Sequence, residues 1–147
     1  MLRCVRDDGS YTGQKQTSRQ APFFALHDLT HFAVETTLGF QRGFFGLVAE
    51  GWDLEDTTGK GSRGPLPEEA GVVEHIVGML DNEPASGAIW TAEEFHQHFA
   101  HPAAPRLTDE DLARVRARRA ELFRQWSEIA PGATLELLFD REESRVG

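Results

Sequence analysis

The sequence predicts an α+β fold, mostly helical, with four to five helices and a small sheet formed by N- and C-terminal strands. Three observations predict it. Apolar side chains recur at three- and four-residue steps along several stretches bounded by capping residues, which is the helical period. Short extended segments stand at both ends, Leu2 to Arg6 with Tyr11 to Gln16 at one and Thr134 to Asp140 at the other. The length of 147 residues is enough to bury about two-thirds of the unfolded surface, so a single domain over 1–147 is expected.

The elements follow in order. Leu2 to Arg6, the turn Asp7-Asp8-Gly9-Ser10, and Tyr11 to Gln16 read as a short hairpin or two extended pieces. Pro22 suits a first helical turn and opens a helix to Leu38, where Gly39 breaks it. A second helix is expected from Gln41 to Glu50. Gly43 and Gly46 weaken it by roughly 1 kcal/mol each relative to Ala, yet leave a smooth surface for close packing. Asp53 to Pro67, with three glycines and two prolines, is a loop long enough to suggest a flap over a site. Its Gly59-Lys60-Gly61-Ser62 is not a phosphate-binding loop, because Leu54 stands where the first glycine belongs and Gly61 follows the lysine.

Pro67 opens the next helix, to Leu80, with Glu68 and Glu69 in the positively polarised first turn. Asp81-Asn82-Glu83-Pro84 is expected to end it. Thr91 and Glu94 form a capping-box pair for a short helix to Ala100. Thr108 caps the longest helix, to Ile129, with a core seam of Leu112, Val115, Leu122, Trp126 and Ile129. Pro131-Gly132 turns the chain into Thr134 to Asp140, which alternates as a strand with Leu135, Leu137 and Phe139 on one face.

Composition narrows the function classes. Asp plus Glu number 24 against 15 Lys plus Arg, for a net charge of -9. That balance opposes a polyphosphate backbone and argues against a nucleic-acid partner. Arg114, Arg116, Arg118 and Arg119 cluster, but Asp109, Glu110, Asp111 and Glu121 bracket them, as on a solvated helix face. Cys4 is the single cysteine, so any metal site falls to histidine and carboxylate ligands. No stretch approaches the roughly 18 apolar residues of a spanning helix, and no cleavable leader is evident, so no membrane partner and a cytoplasmic location are expected.

The chemistry concentrates between Phe23 and Leu38. On a helical wheel Phe23, Leu26, Leu29, Phe32, Ala33, Val34 and Leu38 cover most of the circumference, the pattern of a buried helix. His27, His31 and Glu35 nevertheless share one face, with Asp28 at its edge. Each polar group left unpaired there would cost roughly 1–3 kcal/mol. A metal ion satisfies such a stripe, since histidines at i and i+4 direct ring nitrogens at one point.

His27-Asp28-Leu29-Thr30-His31 resembles the His-Glu-x-x-His signature of zinc metallopeptidases. It is also similar to the His-Asp-x-x-His motif of a coenzyme Q biosynthesis family with a zinc site. Both resemblances span five residues. The first implies that Asp28 takes the role of general base toward a metal-bound water. The second implies a glutamate twelve residues after the second histidine, where this chain has Gly43. One branch of the peptidases draws a further glutamate ligand from the next helix, about twenty residues on, and Glu50 stands nineteen after His31.

The third ligand is therefore expected to be Glu50, with Glu74 or His75 next and Glu69 after them. Glu35 lies two turns, about 12 Å, from His27 and is expected to orient His31 rather than share the ion. His96, His98 and His101 read as exposed histidines of an amphipathic helix. Arg119, at a seam position, is expected either to extend its head to solvent or to pair with an acid of the cation-free stretch 64–105. Two functions follow. One is a divalent-metal protein, with Zn²⁺ first and non-haem iron compatible, acting as a small metal-dependent hydrolase with Asp28 as base and Glu35 as orienter. The other is a non-catalytic helical interaction or dimerisation domain. A small-molecule ligand and a second copy of the chain are the compatible partners.

Overall fold

The computed structural model describes residues 1–16 and 21–140, and it is α+β and mostly helical. Strands β1 (Leu2–Val5) and β2 (Tyr11–Gln14) form an antiparallel hairpin in which Leu2 pairs with Gln14 and Val5 with Tyr11. Five helices follow: α1 (Ala21–Leu38), α2 (Phe44–Glu50), α3 (Glu68–Ser86), α4 (Ala92–His98) and α5 (Asp109–Glu128). A single 3-10 turn, Asp56–Thr58, lies in the loop before α3.

Helix α1 is the centre. It packs on α3 along one side and on α5 along another, which is why nearly every direction around it is apolar. Val34 joins Val73, Ile76, Val77 and Leu80 of α3 and Leu112 and Val115 of α5 in the main core. Leu29, Phe32 and Ala33 join Leu122 in a second cluster on the opposite side. The helix starts are local in origin. Thr108 Oγ1 accepts from the Asp111 backbone N–H at 3.1 Å while Asp111 returns a bond to the Thr108 N–H at 2.9 Å, a reciprocal box that ties off two orphan donors. Thr91 caps α4 with one such bond, its Oγ1 accepting from the Glu94 N–H at 3.1 Å.

Four expectations are altered. The sheet has two strands among the described residues, both N-terminal, and the segment 134–140 pairs with neither. Its alternation is real, for Leu135, Leu137 and Phe139 pack on the Leu29/Phe32/Leu122 cluster while Leu138 is 80% exposed. Side-chain packing on two helices satisfies that pattern without a backbone partner. Helix α2 begins at Phe44, because Gly39 (φ 74) turns the chain out of α1 and residues 40–43 complete the corner. Helix α3 does not stop at Leu80 but runs through Pro84 to Ser86, closed by Gly87 at φ 70. Proline lacks the N–H for one ladder bond, yet ion pairs made by Asp81 and Glu83 with α5 hold that last turn in place. In α5, Leu112, Val115 and Leu122 are fully buried whereas Trp126 is 38% exposed, so the seam fades toward the C-terminal end.

The loop 53–67 is pinned. Trp52, Leu54 and Asp56 are buried, Asp56 accepts from the Asp53 N–H at 2.9 Å, and Arg63 lies over the Trp52 ring. Its anchors run to α2 and the hairpin, not to the histidines of α1. No described helix is long and apolar enough to cross a membrane.

Candidate metal centre

The polar stripe of α1 faces α3. His27 and His31, one helical turn apart, have ring centroids 4.9 Å from each other. Both present Nε2 to the carboxylate of Glu74 on α3, His31 at 2.9 Å to Oε2 and His27 at 3.5 Å to Oε1. One nitrogen from each histidine and one Glu74 oxygen lie within 4.8 Å of one another. Ligand atoms 2.0–2.1 Å from a tetrahedral zinc are about 3.3 Å apart. The two nitrogen–oxygen separations run to different oxygens of Glu74, and with one oxygen the grouping extends to 4.8 Å, so the three side chains would draw in around an ion.

Behind each ring stands a second carboxylate. Asp81 Oδ2 lies 2.7 Å from His27 Nδ1. Glu35 Oε2 lies 3.4 Å from His31 Nδ1, a charge contact whose geometry falls short of a hydrogen bond, so that this buried nitrogen has no hydrogen-bond partner among the described residues. Carboxylates at Nδ1 with Nε2 left for an ion are the usual supporting arrangement of metal-bound histidines, because they fix the tautomer and the ring plane.

The supports are themselves held. Glu35 is fully buried and accepts from the backbone N–H groups of Phe45 at 3.3 Å and Gly46 at 3.0 Å. Its approach requires Gly43, where a Cβ would come within 2.6 Å of the Glu35 carboxyl carbon. The smooth glycine surface of α2 is thus the seat of a buried acid. Arg119 of α5 reaches Asp81 Oδ1 at 3.4 Å and donates to Thr30 Oγ1 at 3.0 Å, with its guanidinium over the Phe123 ring. Thr30 in turn donates to the Leu26 carbonyl at 2.9 Å.

Electrostatics follow the contacts. His27 is pushed up to about 10, by its hydrogen bond to Asp81 first and to Glu74 second, against partial burial. For His31 burial opposes the charge, but Glu35 and Glu74 outweigh it and hold the group at about 9. Glu74 lies well below the ordinary carboxylate range because both histidines donate to it. The carboxylates thus favour protonated imidazoles that donate from Nε2 to Glu74. A divalent cation would take the place of those protons.

The remaining sequence candidates are placed elsewhere. Glu50 is outside the grouping and pairs with Arg42 at 3.1 Å, since α2 is short and its last turn points past α1. Glu69 accepts from the Gln41 and Arg42 N–H groups at 2.7 and 2.9 Å, capping the corner between α1 and α2. His75 stacks on Phe99 at 3.8 Å, away from the centre. Asp28 turns to Gln16, whose Nε2 donates to Oδ2 at 2.8 Å, and burial raises its carboxyl above the usual value. It makes no hydrogen bond or ion pair to either histidine among the described residues. Glu35 sits beside His31, where helical spacing put it. His96 bonds the Leu107 backbone, His98 packs on Trp90 and His101 accepts from the Ala103 N–H, so these three are used singly.

Asp81 was missed, because Asn82-Glu83-Pro84 read as a helix end and removed it from any face. One signal could have found it. Asp81 is seven residues after Glu74, two turns along the same helix face, matching the two turns of the α1 stripe. Comparison with known proteins adds nothing: no family model, no curated protein and no solved structure matches the chain.

Proposed function

We propose that His27, His31 and Glu74 hold one divalent metal ion, Zn²⁺ in first place, and that the chain is a small metal-dependent hydrolase. The observation that carries this reading is the convergence of both Nε2 atoms on one carboxylate, with Asp81 and Glu35 behind the rings. A carboxylate stands behind each ring, hydrogen-bonded at His27 Nδ1 and in charge contact at His31 Nδ1, the placement that supports metal-bound histidines. Two nitrogens and an oxygen suit zinc among the common ions. Three protein ligands also leave a coordination position, and the Glu74 side chain is 60% exposed, so that position opens to solvent. A zinc ion so placed lowers the pKa of a bound water toward 7 or polarises a substrate oxygen. Glu35 and Asp81 would orient the rings, and Arg119 would hold Asp81.

The test is elemental analysis of untagged protein dialysed against Zn²⁺ and then against buffer, beside a His27→Ala/His31→Ala variant. Near-stoichiometric zinc in the first and none in the second is expected. Absence of zinc in both, with unchanged circular dichroism, overturns the metal reading. Hydrolysis is tested separately with p-nitrophenyl acetate. Zinc-loaded protein that turns over no faster than the variant overturns the reaction class while leaving the ion in place.

A further inference from the structure

On the side of α1 away from α3 lies a half-open cavity of about 780 Å³, lined by the N-terminal hairpin, α1, the end of α2 and the segment 135–139. That volume falls within the range of small-molecule sites, about 300–1,000 Å³. It exists because the hairpin is pinned by polar bonds rather than packed. Arg6 Nε donates to the Val48 carbonyl at 2.7 Å and its Nη2 to the Trp52 carbonyl at 2.6 Å. Thr12 Oγ1 accepts from the Leu54 N–H, and Gln16 holds Asp28. These pins hold the hairpin across a gap instead of against the helices.

The walls differ in chemistry from place to place. Phe32, Phe45, Phe139 and Trp126 supply aromatic surface, with Leu135 and Leu137 between them. Asp28 is a half-buried carboxylate, and among the described residues no Lys, Arg or His lies within ion-pair distance of it. Of the cations on the lining, Arg6 is held by two backbone carbonyls and Asp53, Arg3 lies over the Tyr11 ring, and the Met1 ammonium group acts on Asp28 only from beyond ion-pair distance. Asp7 and Asp8 add negative charge along the lining. An anionic ligand would meet this charge unfavourably, whereas a cation would supply what Asp28 lacks.

We propose that this cavity binds a small amine with an aromatic or branched aliphatic body, the body against Phe32, Phe45 and Phe139 and the ammonium group on Asp28. The site adjoins the proposed metal centre: Asp28 stands at the edge of the stripe of His27, His31 and Glu35, and its side chain turns to Gln16 and the hairpin instead of to Glu74.

Isothermal titration of the full chain, treated with EDTA so that no amine can ligate a metal, tests it with 4-phenylbutylamine, 4-phenylbutanol and 4-phenylbutanoate. The amine is expected to bind about tenfold more tightly than the alcohol, the amount one charge-assisted hydrogen bond supplies, and the acid more weakly than both. Asp28→Asn, which keeps an acceptor for Gln16, should abolish the amine's advantage and leave the alcohol unchanged. Saturable heat from none of the three overturns the proposal. So does an amine preference that survives Asp28→Asn. Sedimentation as a dimer that 4-phenylbutylamine does not dissociate also overturns it, in favour of a second copy of the chain in the cavity. Zinc content is measured on separate samples, so neither outcome touches the metal reading.

Discussion

The two faces of α1 are made from the same 18 residues and hold opposite kinds of space. Toward α3 the polar groups are crowded and supported: two histidines, three carboxylates and the Arg119 head, nearly all engaged with one another. Toward the hairpin the helix offers Asp28, Leu29 and Phe32 to a gap, with one hydrogen bond from Gln16. The difference comes from what packs opposite. Helix α3 is 19 residues long and matches α1 turn for turn, so a side chain on one finds a partner on the other. The hairpin has four-residue strands and a polar second strand, and it spans the helix without filling the space beneath.

Substitutions can break the crowded face first. Glu35→Ala should have the largest effect on stability, about 3 kcal/mol. It strands the Phe45 and Gly46 N–H groups in the interior and leaves a void beside His31. Gly43→Ala should reproduce much of that loss from the other side, because its Cβ would displace the same carboxyl group. Urea unfolding monitored by circular dichroism reads both, and a loss below about 1 kcal/mol for each would remove the distinction between the faces.

Asp81→Asn should leave the fold largely intact and weaken zinc binding by roughly 10–100-fold, the usual cost of losing a carboxylate behind a ligand histidine. Competition with a chromophoric chelator measures it. Unchanged affinity would show that His27 needs no orientation from α3.

pH should separate the metal-free protein from the zinc-loaded state proposed above. His27 and His31 have folded values of about 10 and 9 against 6.5 unfolded. Groups raised in the folded state contribute stability that is complete below about pH 6.5 and is lost as pH rises through 9 to 10. The melting temperature of EDTA-treated protein should therefore fall across that window. Zinc must displace those protons, so its affinity should rise with pH over the same range. Parallel melting curves with and without zinc from pH 6 to 10 check both slopes, and a metal-free curve flat through the window contradicts the first.

On the open face effects should be small. Phe139→Ala removes a half-buried ring from the second cluster and should cost about 1–2 kcal/mol. Leu138→Ser, one residue away and 80% exposed, should change stability by less than about 0.5 kcal/mol. Equal losses at the two positions would mean that the 134–140 segment packs by something other than its alternation.

Much of this was legible in the chain. Periodicity, helix breakers and caps together located the five helices, with Thr91 and Thr108 marking two starts, because these signals involve residues within one turn of each other. The pairing of His27, His31 and Glu35 on one face was legible for the same reason. The third strand was not, since Leu135, Leu137 and Phe139 alternate identically whether they face a sheet or a pair of helices. The end of α3 was also misjudged at Pro84, where ion pairs to α5 outweigh a local breaker.

What the sequence determined by itself is a buried-type helix carrying a stripe of two imidazoles and a carboxylate that something must satisfy. Tertiary structure alone decided what satisfies it. Glu74 rather than Glu50 meets the histidines, and Asp81 stands behind one of them, because two long helices pack side by side while α2 turns away at its glycines. Helical spacing is a property of neighbours along the chain. Which acid arrives across the gap depends on helix length and packing, and these no local pattern encodes.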